Sequence, residues 1–441
     1  MEDAYIIQGG KKLSGTVKLS GAKNVALKVI IAALLFDGEV ILKNIPRIND
    51  VFELLHLIKQ LGGVAEFIEK NAVRIIGKSI KFNKVDLLHA SKIRVSFMMF
   101  APLLYQFGKC YIPNPGGCRL GARSIDRIIE GLEKLGIKIN YDSSTGYYRA
   151  IMDKKPYGEY IFNKQSHTAT ELLVMMSVFG NGQIIFKNAA LEPEIDDLIS
   201  FLNQSGADIK RNNGIIIVNG VSKLVQKNSY TIPSDRNEAV TYAVMAMATG
   251  GDVTIYPIRE VYINTFIKKL RLAGAIVEKI NDETWRFQCT RTLESIKIET
   301  ASHPGFMTDW QPPWAVLMTQ ARGSSIIIER VFENRFAYVE ELKKLGASID
   351  YIDVQINKPS EYFFFNYDQE KKYKQAIKIH GGQQMHGGVL NIADLRAGAT
   401  LVIACLLAKG ESVVYGASIL ERGYEDFVEK ISSLGGRIKK V

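Results

Sequence analysis

Hydrophobic and polar residues recur along the chain in one pattern that appears six times. Each copy holds an amphipathic stretch that ends in a glycine and leads into a short alternating strand. The glycines are Gly62, Gly136, Gly206, Gly274, Gly346 and Gly435. Their successive separations are 74, 70, 68, 72 and 89 residues, so one unit spans about 70 residues. A repeat at this period predicts six similar supersecondary units that build the whole chain.

The first copy shows the order of elements expected within a unit. Its pattern predicts a strand at 15–19, an apolar helix at 25–36, a strand at 39–43 and an amphipathic helix at 50–61, followed by a closing strand pair. Gly62, directly after the second helix, is typical of a left-handed helix C-terminus. Each unit is therefore predicted to have the order βαβαββ.

The first helix of a unit is too apolar to face water. Residues 29–36 contain no polar side chain, so this helix must be buried on all sides. Several units have to pack such helices together. Six units then predict an α/β (α+β) protein of two lobes, each an inside-out α/β barrel of three units with its helices inside and its sheets outside.

One interval between the glycines is longer than the others. The interval of 89 residues before Gly435 holds an insertion of about 17 residues. We place it within 358–378, which contains the aromatic run 361–367. A longer surface hairpin is the expected structure, and a loop that binds a partner is the alternative.

The composition excludes several classes of protein. The chain of 441 residues is 47% hydrophobic and 23% charged, which fits a globular protein and excludes wholesale disorder. The longest apolar runs, 29–36 and 401–408, have eight residues each, whereas a membrane span needs about 20. Acidic residues close to Met1 do not fit a signal peptide. We therefore predict a cytoplasmic protein that does not enter a membrane.

The net charge of +10 favours an anionic partner, either nucleic acid or small phosphorylated ligands. The densest basic patch, 370–374, is short and contains an acid, which argues against a nucleic-acid partner. Single bases instead recur at two fixed points of the repeat. At the start of the apolar helix they are Lys23, Arg94, Lys164, Arg236 and Arg396, with Asp309 in the remaining copy. In the loop before the amphipathic helix they are Arg47, Arg119 with Arg123, Arg259, Arg335 and Arg422, with Glu192-Pro193-Glu194 in the remaining copy.

A base beside a helix N-terminus makes an anion site, because the first N–H groups of the helix are free and its dipole is positive there. In a bundle of three units these sites converge at one end. Two lobes facing each other would then form a cleft for a ligand with several phosphate or carboxylate groups. For any single base, a solvated cation at a helix end is the alternative.

Asp309 is the one acid in the column of bases at the apolar helices. Neighbouring cations would keep it ionised, so it could accept a proton from a substrate hydroxyl. A helix N-cap is the alternative role for Asp309. His303 lies six residues earlier and is either close to the chemistry or structural.

Cys118 lies in a loop rich in proline and glycine and is followed by Arg119 and Arg123. Neighbouring cations lower the pKa of a thiol and make it reactive, so Cys118 is a candidate for the chemistry, with a plain loop cysteine as the alternative. The other thiols, at positions 110, 289 and 405, lie in strand-like or helical apolar segments. We predict that all three belong to the core.

Seven motifs, in order along the whole chain, resemble those of the enolpyruvyl transferases. They are SGAKN (20–24), PGGC (115–118) with GAR (121–123), EPEI (192–195), HPGF (303–306) with TD (308–309), FENRF (332–336), DLRA (394–397) and RGYE (422–425). The resemblance implies the fold derived above and adds that the first strand belongs with the C-terminal lobe. It implies a C-terminal lobe of 1–22 plus 232–441 and an N-terminal lobe of 23–231, the latter with a mobile loop at 113–124 that carries Cys118.

The resemblance also implies roles for individual residues. Lys23, Arg123 and Arg422 match the contacts to the phosphate of phosphoenolpyruvate, and Arg335 and Arg396 match those to its carboxylate. The implied catalytic residues are Lys23, Cys118 and Asp309. Cys118 matches the residue that protonates the enol methylene or forms a covalent adduct, and Asp309 matches the base near the acceptor hydroxyl. The residues that match contacts to a nucleotide sugar are Asn24, Arg94, Arg123, Ser124, Ile125, Asp126, Lys164, Ser166, Thr168 and Asp309.

The implied reaction is transfer of the enolpyruvyl group from phosphoenolpyruvate to the 3'-hydroxyl of UDP-N-acetylglucosamine with release of phosphate. This is the first committed step of peptidoglycan precursor synthesis. Three to five cations, one thiol and one carboxylate are enough for an addition and elimination, so we expect no metal and no cofactor. We expect a monomer or a weak oligomer.

The departures from the family pattern concentrate on the acceptor side. The pattern has Pro and Met at positions 307 and 310, Pro at 124, Val-Gly at 167–168, often Trp at 98 and often His at 127. This chain has instead Met307, Trp310, Ser124, His167, Thr168, Met98 and Arg127. Another uridine nucleotide is therefore the alternative acceptor. A catalytically silent nucleotide-sugar binding protein is the alternative of a different class, against which the presence of Cys118 and Asp309 argues.

Overall fold

The computed structural model describes residues 3–116, 125–289 and 292–441. Their contacts divide these residues into two compact units. The C-terminal unit contains 3–20 and 234–441, and the N-terminal unit contains 21–116 and 125–233. The chain thus passes from one unit to the other near residue 20 and again near residue 233.

The strands follow one another along both units in short segments. They are β1 (Ala4–Gln8), β2 (Ser14–Lys18), β3 (Glu39–Lys43), β4 (Val64–Glu69), β5 (Ala72–Ile76), β6 (Lys109–Pro113), β7 (Lys138–Asp142), β8 (Tyr147–Ile151), β9 (Gly158–Ile161), β10 (Gln183–Lys187), β11 (Asp208–Asn212), β12 (Ile215–Asn219), β13 (Tyr230–Thr231), β14 (Asp252–Tyr256), β15 (Ile276–Asn281), β16 (Thr284–Gln288), β17 (Lys297–Glu299), β18 (Ser324–Ile328), β19 (Ser348–Tyr351), β20 (Ala376–His380), β21 (Val389–Asn391), β22 (Glu411–Tyr415) and β23 (Arg437–Lys440).

Helices alternate with these strands. They are α1 (Lys23–Ala33), α2 (Asn49–Gln60), α3 (Leu87–Ala90), α4 (Phe100–Phe107), α5 (Asp126–Lys134), α6 (His167–Ser177), α7 (Pro193–Gln204), α8 (Arg236–Ala248), α9 (Glu260–Leu272), α10 (Gln311–Thr319), α11 (Tyr338–Lys344), α12 (Pro359–Tyr362), α13 (Leu395–Leu407), α14 (Ala417–Leu420) and α15 (Phe427–Ser433). Two 3-10 turns, Arg94–Met99 and Thr308–Trp310, lead directly into α4 and α10. Across the described part of the chain, every helix is too short or too polar to cross a membrane.

Each of the two compact units contains three sheets in the described part of the chain. The N-terminal unit has the strand orders β13-β3-β5-β4, β6-β8-β7 and β11-β12-β10-β9, and the C-terminal unit has β15-β16-β14-β2, β17-β18-β20-β19 and β21-β22-β1-β23. In each four-stranded sheet one outer pair is parallel and the remaining pairs are antiparallel. The predicted βαβαββ unit is therefore confirmed. In the three-stranded sheet, the isolated parallel bridge between Lys84 and Tyr111 takes the place of the first strand.

The first strand of the repeat does not stay with the helix that follows it. The residue pattern grouped the strand at 15–19 with the helix at 25–36, but β2 pairs in parallel with β14, so that Val17 lies opposite Ile255. The corresponding place beside β3 is taken by β13, with Tyr230 opposite Leu42. The grouping by sequence neighbours alone was wrong here, because strand pairing joins segments more than 180 residues apart.

The repeat glycines all end helices in the left-handed region. Their φ angles are 92° (Gly62), 90° (Gly136), 106° (Gly206), 88° (Gly274), 91° (Gly346) and 87° (Gly435). After α2, the N–H of Gly62 donates to the Lys59 carbonyl (2.9 Å) and that of Gly63 to the Ile58 carbonyl (3.0 Å). This is the Schellman pattern of a glycine-terminated helix, and it confirms the predicted cap at Gly62.

The apolar helices form the interior of each unit. All residues of α8 are buried, and α8, α10 and α13 pack against one another in the C-terminal unit. In the N-terminal unit, α1 packs against α7 and the 3-10 turn at 94–99, while α6 packs against α4 and α7. The strands outside them alternate between buried and exposed residues. The expectation of buried apolar helices covered by sheets is confirmed.

The predicted insertion lies between β19 and β20. These two strands do pair with each other, but the inserted residues add no further strand to the hairpin. They form the short helix α12 and a cluster of aromatic rings. Ring centroids are 4.9 Å apart for Phe363 and Phe365, 5.5 Å for Phe363 and Tyr367, and 5.2 Å for Phe365 and Tyr373. The segment therefore folds on itself instead of extending the sheet.

Candidate active site

A cluster of one partly exposed acid and two buried bases lies at the start of two apolar helices of the C-terminal unit. Arg335 Nη2 donates to Asp309 Oδ1 (2.7 Å), and Arg396 Nε donates to Asp309 Oδ2 (3.4 Å). Asp309 belongs to the 3-10 turn before α10, and Arg396 is the second residue of α13. The structure thus brings together three residues predicted separately, at positions 309, 335 and 396. Asp309 does not act as a helix N-cap.

The two guanidinium groups determine the charge of Asp309. Burial alone would raise the pKa of this carboxyl, but Arg335 and Arg396 hold it well below its usual range. Burial would likewise lower the pKa of each arginine, but Asp309 and Glu329 raise that of Arg335, and Tyr424 and Asp309 raise that of Arg396. Asp309 is therefore ionised at any physiological pH, as its place among bases predicted.

Each arginine keeps a donor that nothing in the described part of the chain accepts. Arg335 Nε and Arg396 Nη1 are buried and lack hydrogen-bond partners there. A buried donor without a partner is unfavourable by roughly 1–3 kcal/mol, and more for a charged group. Two such donors on arginines that share Asp309 favour binding of a small anion, and the planar fork of arginine suits a carboxylate.

A second acid behind the cluster was missed by the sequence analysis. Arg335 Nη1 donates to Thr308 Oγ1 (2.6 Å), and the Thr308 hydroxyl donates to Glu329 Oε2 (2.8 Å). The other carboxylate oxygen of Glu329 accepts from the backbone N–H groups of Val331 (2.7 Å) and Phe332 (3.0 Å). Glu329 is fully buried, and burial raises its pKa. The sequence did carry a signal for Glu329. This charged residue directly follows the apolar strand β18, so its side chain lies in the interior.

Aromatic rings and a helix cap hold Arg396. Its guanidinium lies 5.4 Å from the ring centroid of Tyr424, whose hydroxyl is 2.8 Å from the Thr241 hydroxyl. The Asp394 side chain accepts from the backbone N–H groups of residues 396 (3.0 Å) and 397 (3.1 Å) and so caps α13. Arg422, two residues before Tyr424, is half-buried between α14 and α15. Arg396 is thereby held at the first turn of its helix.

His303 lies beside a different base. Its Nδ1 is 3.4 Å from Arg236 Nη1, and the Arg236 guanidinium is 5.9 Å from a ring of Trp310. Trp310 Nε1 donates to Asn237 Oδ1 (3.0 Å), which joins the turn of Asp309 to the start of α8. Trp310, a departure from the family pattern, is thus a buried part of this framework.

In the N-terminal unit, Lys23 is the first residue of α1, as its position in the repeat predicted. Its Nζ lies 2.9 Å from Asp50 Oδ2 at the start of α2, and both side chains are buried. Asn24 follows in α1 and is partly exposed. Lys23 is therefore held in place by a neighbouring helix start.

The residues expected to bind a nucleotide sugar also lie at helix starts. Arg94 begins the 3-10 turn before α4, and Asp126 is the exposed first residue of α5, directly after the buried Ile125. Lys164, Ser166 and Thr168 are partly exposed around the start of α6. Arg127 links two of these elements, because its Nη1 donates to the Gln165 carbonyl (3.4 Å).

A buried ionic group joins α1 to α6. Lys28 Nζ and His167 Nε2 each lie 3.2 Å from a carboxylate oxygen of the fully buried Glu171, close enough for ion pairs although not aligned as hydrogen bonds. Burial would raise the pKa of Glu171, but His167 and Lys28 lower it. Burial would lower the pKa of His167, but Glu171 raises it. Two lone opposite charges in apolar helices were the signal for this pair, which the sequence analysis missed.

The family described as EPSP synthase (3-phosphoshikimate 1-carboxyvinyltransferase) matches residues 7–431. The chain belongs to this family of enolpyruvyl transferases. The resemblance of the seven motifs is thereby confirmed.

Relatives of this enolpyruvyl transferase match it over its full length. One from Thermodesulfovibrio yellowstonii, named UDP-N-acetylglucosamine 1-carboxyvinyltransferase, is 36% identical over 442 residues, covering 100% of both chains. One from Caldanaerobacter subterraneus, named UDP-N-acetylglucosamine 1-carboxyvinyltransferase 3, is 37% identical and covers 100% of this chain and 99% of its own.

Solved structures agree on the fold. The enolpyruvyl transferase NikO from Streptomyces tendae has a TM-score of 0.85 at 20% identity, covering 99% of this chain and 98% of its own. EPSP synthase from Acinetobacter baumannii has a TM-score of 0.70 at 19% identity, covering 99% of both chains. These identities support the shared architecture alone.

The thiol expected to take part in the reaction of this enolpyruvyl transferase, Cys118, lies outside the described residues, as do Arg119, Arg123 and Ser124. Of the other thiols, Cys110 and Cys405 are buried as predicted. Burial raises the pKa of Cys110 well above its usual range and that of Cys405 to about 12. The core prediction for Cys289 was wrong, because this residue directly follows β16 and is only half-buried.

Proposed function

We propose that this enolpyruvyl transferase moves the enolpyruvyl group of phosphoenolpyruvate to the 3'-hydroxyl of UDP-N-acetylglucosamine and releases phosphate, which begins peptidoglycan precursor synthesis. The observation that carries the proposal is the Asp309 cluster. An ionised carboxylate is held between two buried guanidinium groups, each with a free donor. The names of the full-length relatives support the same donor and acceptor. The cytoplasmic location remains a prediction.

The proposed reaction is an addition followed by an elimination. Asp309 takes the proton of the acceptor hydroxyl while the oxygen of that hydroxyl bonds to C2 of phosphoenolpyruvate. The Cys118 thiol delivers a proton to C3. The Cys118 thiolate then takes a proton back from C3, the double bond forms again, and the bond from C2 to the phosphate oxygen breaks so that phosphate leaves. General acid and base groups of this kind each contribute about 10² to 10⁴ in rate.

Cations hold the substrate during both steps. We assign the carboxylate of phosphoenolpyruvate to Arg335 and Arg396, which both donate to Asp309 and each keep a donor without a partner among the described residues. We assign its phosphate to Lys23, Arg123 and Arg422. Fixed positive groups of this kind stabilise the charge that moves onto the leaving phosphate.

The nucleotide sugar is assigned to the helix starts of the N-terminal unit. Free N–H groups and bases at such starts suit a diphosphate. The residues concerned are Asn24, Arg94, Ile125, Asp126, Lys164, Ser166 and Thr168, together with Arg123, Ser124 and, in the C-terminal unit, Asp309.

One observation favours a second candidate, transfer to another uridine nucleotide. His167, where the family pattern has a smaller apolar residue, is the first residue of α6 and pairs with Glu171. Glu171 raises the pKa of His167, which favours the charged imidazole beside the expected acceptor contacts. Such a change can alter which acceptor fits.

An acceptor panel decides between these candidates. Phosphate release from phosphoenolpyruvate is measured with UDP-N-acetylglucosamine, UDP, UMP and shikimate 3-phosphate. We expect release with UDP-N-acetylglucosamine alone. Release only with a simpler uridine nucleotide supports the second candidate. Calorimetric binding of UDP-N-acetylglucosamine without any phosphate release would identify a binding protein and contradict the proposal.

A labelling experiment tests the assignment of Cys118. An epoxide mimic of phosphoenolpyruvate, of the fosfomycin type, is expected to modify Cys118, and faster when the acceptor is present. Cys110 and Cys405 are buried with raised pKa values and should remain unmodified. Peptide mass spectrometry locates the adduct.

The half-buried Cys289 is the natural competitor for the label, so a Cys289→Ser variant is the control. This variant should be labelled as fast as the wild-type protein, and Cys118→Ser should not be labelled. Modification mainly at Cys289 would overturn the role given to Cys118.

A further inference from the structure

The insertion between β19 and β20 contacts the loop 329–335, which carries Arg335. Phe364 N–H donates to the Arg330 carbonyl (2.8 Å), and Arg330 Nε (3.2 Å) and Nη2 (3.1 Å) donate to the Tyr362 carbonyl. The Arg330 guanidinium lies 4.1 Å from the ring centroid of Tyr362 and 5.3 Å from that of Phe364. The insertion therefore holds Arg330 through both its backbone carbonyl and its guanidinium group.

The end of the insertion holds the same loop at a second place. The buried Gln375 donates through Nε2 to the carbonyls of Glu329 (2.7 Å) and Phe332 (3.0 Å), and its Oε1 accepts from Asn334 N–H (2.7 Å). Asn334 Oδ1 accepts from Lys374 N–H (2.7 Å). Asn334 has a φ of 51°, a left-handed conformation that asparagine adopts more readily than most non-glycine residues. Arg335 directly follows this turn.

The insertion is itself well packed, so it can act as a rigid support. Phe363 and Phe365 are buried in the aromatic cluster of the segment. Tyr362 is fixed in addition by its hydroxyl, which donates to Glu299 Oε2 (2.9 Å). A segment with a packed interior can hold a neighbouring loop in one conformation, whereas a loose loop cannot.

We infer that the insertion at 353–375 serves as an internal brace that orients Arg335 for the carboxylate of phosphoenolpyruvate, with Arg330 and Gln375 as its positioning residues. The inference rests on the proposed role of Arg335. It assigns the insertion to the site of this same chain instead of to a partner. Because a small displacement of a binding group can change the rate by as much as 10²-fold, loss of the brace should affect use of phosphoenolpyruvate before it affects the fold.

Arg330→Met tests this inference, because it removes the donors to Tyr362 from a side chain that is not part of the core. We expect the KM for phosphoenolpyruvate to rise at least fivefold, and the KM for the acceptor to change less than twofold. Arg330→Lys, which keeps the charge and one donor, should recover part of the effect. The control is Glu361→Ala in the same insertion, whose exposed side chain pairs only with Lys358 among the contacts described.

Hydrogen exchange gives a readout that needs no substrate. The amides of Val331 and Phe332, which donate to Glu329, should exchange at least tenfold faster in Arg330→Met than in Glu361→Ala. Unchanged exchange would overturn the brace whether or not the protein uses phosphoenolpyruvate. An active wild-type protein with an unchanged KM for phosphoenolpyruvate in Arg330→Met would overturn it equally. Absence of activity in the wild-type protein contradicts the proposed function alone, and the exchange result then decides the brace.

Discussion

Asp309→Asn is expected to reduce turnover by about 10² to 10⁴ while UDP-N-acetylglucosamine still binds. The amide keeps the shape of the carboxylate, and its single oxygen can still accept from one of the two arginines, but it cannot take a proton. Phosphate release measures turnover, and calorimetry measures acceptor binding. The change also removes the negative charge between two buried arginines, so the variant should unfold at a lower temperature than the wild-type protein.

The pH dependence follows from the same contacts. In the free protein the arginines hold the pKa of Asp309 below its usual range, so it is ionised and a weak base. A bound carboxylate on Arg335 and Arg396 would partly neutralise their field and raise that pKa. The kcat of the wild-type protein should therefore fall as the pH drops through the raised value, and this acid limb should be absent in Asp309→Asn.

Asp350→Asn is the control for this prediction. Asp350 lies exposed on β19 and pairs with His380. The same change there should leave turnover unchanged. If Asp309→Asn retains turnover within fivefold of the wild-type protein, Asp309 is not the base and the proposed mechanism is wrong.

Arg335→Lys and Arg396→Lys are each expected to raise the KM for phosphoenolpyruvate about 10- to 100-fold, because hydrogen bonds between charged groups contribute about 1.5–3 kcal/mol. Arg335 already uses Nη1 for Thr308 and Nη2 for Asp309 and keeps Nε for a ligand. A lysine ammonium has the charge but cannot donate in one plane to Thr308, Asp309 and the ligand together. Acceptor binding should change far less.

Arg322→Lys is the matched control, since Arg322 is an exposed arginine that pairs with Glu294 in the same unit. Steady-state kinetics with phosphoenolpyruvate as the varied substrate provide the measurement. Unchanged dependence on phosphoenolpyruvate in both site variants would contradict the carboxylate assignment.

The repeat and its glycines could be read from the sequence because they depend on local interactions. The φ of each repeat glycine follows from its place at the end of a helix. The burial of the apolar helices follows from the absence of a polar face along each of them. The bases at helix starts were likewise visible once the units were aligned. Asp309 stood out for the same reason, as an acid in a column of bases.

Contacts between distant segments were decided only by the tertiary structure. Glu329 and Gln375 form their hydrogen bonds with residues of other elements. Lys28 of α1 pairs with Glu171 of α6, which lies 143 residues further along the chain. The insertion was expected at the surface, but its backbone and rings hold Arg330. No periodicity in a single sequence records such pairings.

The sequence by itself determined the six units, the order of elements within each, and the charged residues available at their helix starts. Tertiary structure decided that β2 pairs with β14 while β13 takes the place beside β3, and that Asp309, Arg335 and Arg396 meet in one cluster. The physical reason is range. Helix periodicity, strand alternation and left-handed glycines depend on neighbours along the chain, whereas strand exchange and the pairing of buried charges depend on the free energy of packing segments that are far apart in sequence.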